Sequence, residues 1–229
     1  LTRPDLVTEE TRVRVEAAAA ELEYLPNPAA RNLVRGSTGA IGLLVPDIAN
    51  PFFAAIVQAA TAEASEIDQA VLLVDTRHRP ELEVSALDRL RPQVDGIIVC
   101  TPVATEYRRD RGPLVHVNRR SPGVSSVAVD QSEVVRLAFE HLDELGHRHV
   151  AWMNGPTSYW SSRQRRDALV PYESKRGRTI VVLDGIEPTF EGGHAATDLA
   201  ITSGATALVA FNDLMALGVM AAAQARGLR

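Results

Sequence analysis

The chain has one cysteine in 229 residues, Cys100, so no internal disulfide can form. Aromatics make up only 5% of it, and no apolar run approaches the roughly 20 residues of a membrane-spanning helix. Nothing at the start resembles a signal peptide. Together these absences favour the cytoplasm. Positive charge is scarce as well: the net charge is −5, and the first 36 residues carry five arginines against six acids. Only residues 24–36, with two arginines and no acid, are locally basic. On charge alone, the case for nucleic-acid binding is weak.

The signatures of several enzyme classes are also missing. No GxGxxG follows the first apolar run, and "GSTG" at residues 36–39 precedes that run, which excludes a dinucleotide enzyme of the usual kind. There is no Walker motif and no GxSxG elbow. His141, His147 and His149 cluster in "HLDELGHRHV", but no cysteine or acid completes a metal-ligand spacing; they read as a helix C-terminus, where partial negative charge favours them. The arginines of "RQRRD" at residues 163–167 read as a solvated helix face, with room for one of them to point at a cleft. No catalytic constellation emerges, and the residues imply neither a cofactor nor a metal. The chain is not read as an enzyme.

What is present is alternation. Thr8 followed by Glu9 and Glu10 signals a helix start, and the alanine-rich "VRVEAAAAELEY" continues it as far as Pro26. Pro28 opens a short second helix, "PAARNLVR", which Gly36 ends. From "AIGLLVP" onward, short and almost wholly apolar runs alternate with helical segments of ten or more residues, ending with "TALVAF" and "NDLMALGVMAAAQARG". This pattern predicts an α/β fold with parallel strands covered on both faces. Ligands of such folds sit beyond the carboxyl ends of the strands. That rule selects residues 47–53, 75–77, Thr101, Asn118, Arg119, Asp130, 155–165, 184–190, Asn212 and Asp213, a set rich in amides, acids and aromatics that suits a polyhydroxylated small molecule. Capping of the following helix is the competing use of each Asp or Asn. The opening at Leu1 and the closing "AAAQARGLR" read as part of a longer protein.

The string "VTEETRVRVEAAAAELEYLPNPAARNLVRGSTGAIGLLVPDIANPFF" resembles the lactose-repressor (LacI/GalR) family of transcription regulators, at the junction of DNA-binding headpiece and effector domain. The runs "VDGIIV", "VAVDQ", "HLDELGHRHVAWMNGP", "SSRQRR", "EGGHAATDLA" and "VAFNDLMALGVMAAAQARGL" follow the family in the same order, over essentially the whole chain. The resemblance implies a periplasmic-binding-protein-like fold: two doubly wound parallel-sheet subdomains, preceded by a partial helical headpiece and a hinge helix. The implied boundaries are 1–36 for headpiece and hinge, 37–147 for the first subdomain and 148–229 for an incomplete second. The hinge helices of a homodimer would enter the minor groove of palindromic operator DNA, Leu33 as a wedge and Ala30 as a small close-approach residue, with Asn27, Arg31 and Arg35 near phosphates or groove. For a sugar or metabolite effector the resemblance implies Asn50, Phe52, Asp130, Ser161, Arg165 and Asn212, with Phe53 as core and Asp213 as a helix cap. Pro188 stands where many members carry a stacking aromatic, leaving Phe190, Tyr159 or Trp160 to supply that face. A transporter's solute-binding protein on the same sheets is the alternative function.

Overall fold

The computed structural model describes residues 6–24, 36–104, 112–174 and 177–228. Two compact units are present, Leu1–Gly39 and Ala40–Arg229. In the first, helix α1 (Glu9–Glu21) begins where the sequence places it: the Thr8 hydroxyl accepts from Thr11 N, and Glu9 and Glu10 occupy the first turn. Arg12 bonds back to Glu9, an exposed i,i+3 pair of small energetic weight. The expected hinge helix, with Asn27, Ala30, Arg31, Leu33 and Arg35, lies outside the described residues.

The second unit contains two parallel sheets. The first runs β2 (Ala70–Asp75), β1 (Ala40–Val45), β3 (Gly96–Cys100), β4 (Leu114–Val117), β5 (Ser125–Val127). β1 lies between β2 and β3, in register with β2 from Ala40↔Ala70 to Val45↔Asp75. Because neighbouring side chains on a strand point to opposite faces, β1 serves two cores at once. Leu43 and Val45 pack with Phe53 and Cys100 beneath α2 (Pro51–Glu66). Ala40 and Leu44 pack on the other face with Ala86, Leu87 and Leu90 of α3 (Pro80–Leu90).

The second sheet, β7 (Thr179–Leu183), β6 (His149–Met153), β8 (Ala207–Val209), repeats the scheme. Val150 and Trp152 meet α4 (Gln131–Glu144) and α5 (Trp160–Glu173); Ala151 and Met153 meet α6 (Phe190–Thr202) and α7 (Asp213–Ala225). The apolar stripe of α4, Val135, Phe139 and Leu142, is buried with Val150, Trp152 and Leu169. Helix α4, which falls within the expected first subdomain of residues 37–147, packs on the second sheet; an amphipathic helix reveals that it has a buried face, but not which sheet buries it. Phe139 is stacked with Trp152 and Tyr172, and Arg178 lies over the Phe139 and Tyr172 rings while pairing with Asp143.

Candidate functional site

In each sheet the chain crosses from an inner strand to one neighbour and then returns past it to the other, so that the strand order reverses between β1 and β3 in the first and between β6 and β8 in the second. Crevices open at such switch points, beyond the carboxyl ends of the strands. A single cavity of about 340 Å³ is lined from both: Asn50 and Phe52 follow β1, Thr101 follows β3, Ser161 and Arg165 follow β6, and Asn212 follows β8. Its size falls in the usual range for a small-molecule site.

Two of the candidate amides also cap helices. Asn50 Oδ1 accepts from Phe52 N at 3.0 Å, opening α2 ahead of Pro51. Asn212 Oδ1 accepts from Met215 N and its Nδ2 donates to Pro188 O, both at 2.9 Å. The cap of α7 is thus Asn212, not Asp213, which stands in the first turn and also lines the cavity. Phe52, 49% exposed, offers its ring to the cavity and meets Phe53 edge-on at 5.2 Å, while Phe53 is core, as expected.

Asp130 does not line this cavity. It is exposed, and its Oδ1 accepts from the Ser132 hydroxyl at 2.6 Å and from the backbone N–H groups of Ser132 and Glu133. Those bonds, the one from the Ser132 side chain foremost, hold its carboxyl below the usual carboxylate range. Its Oδ1 thus caps α4.

The "RQRR" arginines divide their tasks. Arg163 donates to the carbonyls of Thr157 and Ser158, and Arg166 pairs with Glu173. Arg165 turns inward. Its Nε donates to Gln131 Oε1 and its Nη1 to Phe211 O, each at 2.7 Å, and its Cζ lies 4.7 Å from the Phe211 ring centroid. Burial lowers its pKa to about 10, which still leaves it charged at neutral pH. Gln131 Nε2 extends the network toward Asn118 Oδ1 at 3.5 Å, and Asn118 Nδ2 donates to Thr101 Oγ1 at 3.3 Å. Polar groups of both lobes are thereby joined around the cavity.

Four lining residues lay outside the sequence reading: His78, Phe211, Leu214 and Leu217. His78 follows the window ending at Arg77, and Phe211 was read as the end of a strand that in fact stops at Val209. Phe211 fits only because residue 155 is glycine: a Cβ there would stand 2.9 Å from the ring. Of the three aromatics expected to compensate for Pro188, Tyr159 lines the cavity alongside Pro188 itself, whereas Phe190 and Trp160 do not.

A family model described as periplasmic binding proteins and sugar binding domain of LacI family matches residues 38–229. The chain is 30% identical to the HTH-type transcriptional repressor CytR of Escherichia coli K12, across 100% of this chain and 71% of the relative. It is equally 30% identical, with the same coverage, to the ribose operon repressor of Halalkalibacterium halodurans. Among solved structures, the Lac repressor dimer bound to operator and the anti-inducer ONPF superposes with a TM-score of 0.84 at 29% identity, covering 97% of this chain and 71% of that one. With its switch-point cleft and these relatives, the chain belongs to the LacI family of transcriptional regulators.

Proposed function

We propose that this regulator is a cytoplasmic homodimer, without enzymatic activity, whose affinity for palindromic operator DNA is set by a sugar or related metabolite bound between the two lobes. The observation that carries this reading is the cavity lined from both sheets, with Asn50 and Phe52 on one side and Ser161, Arg165 and Asn212 on the other. A ligand bridging two lobes favours one angle between them. A hundredfold preference for one angle supplies about 2.7 kcal/mol of bias. Residues 1–36 act as headpiece and hinge, and the change of angle alters the spacing of the paired hinges. The repressor names of its relatives favour this reading over a transporter's binding protein.

The test is fluorescence anisotropy of the full-length protein on palindromic DNA from its own promoter, at fixed salt, with and without a panel of sugars. Tight binding that one sugar shifts is expected; sugar affinity without specific DNA binding would overturn the regulator and favour a solute-binding protein. Leu33→Ala is expected to weaken operator binding roughly 10- to 100-fold, the worth of one buried leucine, and to leave sugar affinity unchanged. Equal loss of both would remove Leu33 from the hinge. Phe52→Ala is expected to weaken effector binding roughly tenfold through lost apolar contact, measured by calorimetry. Unchanged affinity would exclude its ring from the ligand's wall.

A further inference from the structure

The two lobes meet at a second kind of contact. His78, in the segment between β2 and α3, stacks on Tyr159, in the segment between β6 and α5; the ring centroids are 5.0 Å apart and the planes 20° from parallel. Each ring is anchored in its own lobe. Phe53 approaches His78 at 6.4 Å from the first, and Phe211 approaches Tyr159 at 6.3 Å from the second. The stack lines the cavity itself.

The backbone beneath His78 is held in a costly conformation. Arg77 and His78 both have left-handed dihedrals, φ 50° and 55°, which costs a non-glycine residue about 1–2 kcal/mol. Surrounding bonds impose it: His78 N donates to Pro46 O at 3.1 Å, Arg77 N to Asp75 Oδ1 at 2.8 Å, and Arg79 N to Thr76 O at 2.9 Å. Strain fixed in this way is found where a side chain must be presented in one place. Here it presents the imidazole across the cleft.

We propose that the stack of His78 on Tyr159 is a latch between the lobes, closed while the imidazole is neutral and released when it takes a proton. The latch acts on the cleft assigned above to the effector, and rests on that reading for its regulatory meaning. In the closed form His78 Nδ1 is buried without a hydrogen-bond partner among the described residues, so an N–H placed there by protonation has no acceptor.

Opposing influences are present. A cationic ring over Tyr159 gains cation–π attraction, and the carboxylates of Asp47 and Asp75 in the first lobe and Glu187 in the second also favour the charge. Of the flanking arginines, Arg79 is paired with Glu81 and Arg77 is tied through its backbone to Asp75. Desolvation is nevertheless the largest influence, and the imidazole is pushed below its ordinary range. Tyr159 stays a neutral phenol, burial having raised its ionisation far above neutral pH. Opening the cleft rehydrates the imidazole and returns it toward its ordinary value of about 6.5. A group with a depressed pKa in the closed state favours closure fully above its open-state value, and that contribution is lost as pH falls.

The test is the interlobe distance, read by double electron–electron resonance. Spin labels go on Asp88→Cys in α3 and Glu144→Cys in α4, both exposed, with the labelled full-length chain diluted into unlabelled protein. Native Cys100 is buried and its thiol is raised to about 12, so it does not take the label. The short-distance population is expected to fall by roughly half or more between pH of about 7.5 and about 5.5. His78→Phe, which stacks without titrating, is expected to keep the short population at both pH values. Tyr159→Ala is expected to lose it at both, while retaining wild-type helical circular dichroism. A distribution indifferent to pH in the wild type, or to Tyr159→Ala in folded protein, would overturn the latch. A latch that works in a protein with no operator or effector affinity would instead overturn the proposed function alone.

Discussion

Gly218→Ala is expected to cost the second lobe about 3 kcal/mol or more and to lower the melting temperature by roughly 6–12 °C. An added methyl there would stand 2.0 Å from Phe190 O, 2.8 Å from His194 N and 2.9 Å from Phe190 C. These are backbone atoms of α6, so no rotamer change relieves the overlap and the two helices must separate. The contact is reciprocal: a Cβ on Gly193 of α6 would meet Met215 O at 2.2 Å. Alanine's higher helix propensity, worth about 1 kcal/mol, acts in the opposite direction and is too small to prevail. Gly42→Ala supplies the internal contrast, since the nearest atoms to its methyl are side-chain atoms of Leu90, Ile97 and Val94, at 3.2, 3.3 and 3.6 Å, which can adjust. Thermal melts of the two variants side by side are expected to rank Gly218→Ala far below Gly42→Ala. Equal melting temperatures would mean that α6 and α7 do not lie this close in solution.

Gly218 also illustrates what the sequence conceals. The run "NDLMALGVMAAAQARG" reads as a helix at once, but nothing local reveals that another helix's backbone rests on its glycine. The alternation of apolar runs and helices was legible because a strand buried on both faces must be apolar throughout. Capping was legible at Thr8, was one of two open uses for Asn50, and was expected of Asp213 where Asn212 caps instead. The outcome of competition between capping and ligand binding was not legible. Asp130 caps α4 with its Oδ1 and lies off the cavity, whereas Asn50 caps α2 with its Oδ1 and lines it. Both look alike in the sequence; the second polar atom is a donor in the amide and an acceptor in the carboxylate. His78 was missed because its place depends on two successive left-handed residues, a turn with no glycine to announce it. Phe211 was missed because β8 ends two residues earlier than its apolar run.

Arg165→Ala is expected to weaken effector binding by about 100-fold or more while leaving operator affinity of the effector-free protein intact. The side chain makes two charge-assisted hydrogen bonds, to Gln131 Oε1 and Phe211 O, each worth about 1.5–3 kcal/mol, and it braces the Phe211 ring. Removing it strips a part-buried carbonyl and the amide of buried Gln131 of their donor and frees one wall of the cleft, in addition to any bond lost to the ligand. Arg165→Lys is not expected to restore affinity, because an ammonium cannot reach both acceptors and lie flat on the ring as the guanidinium does. Calorimetry with the responsive sugar and anisotropy with the operator separate the two properties. Unaltered sugar affinity in Arg165→Ala would place the ligand elsewhere. Loss of operator binding together with sugar binding would mean that Arg165 holds the lobes in their DNA-binding arrangement, so that its role is structural before it is one of recognition. The route from Arg165 through Gln131 and Asn118 to Thr101 shows why both measurements are needed: one side chain touches the ligand cavity and also the only hydrogen-bonded path identified across it among the described residues.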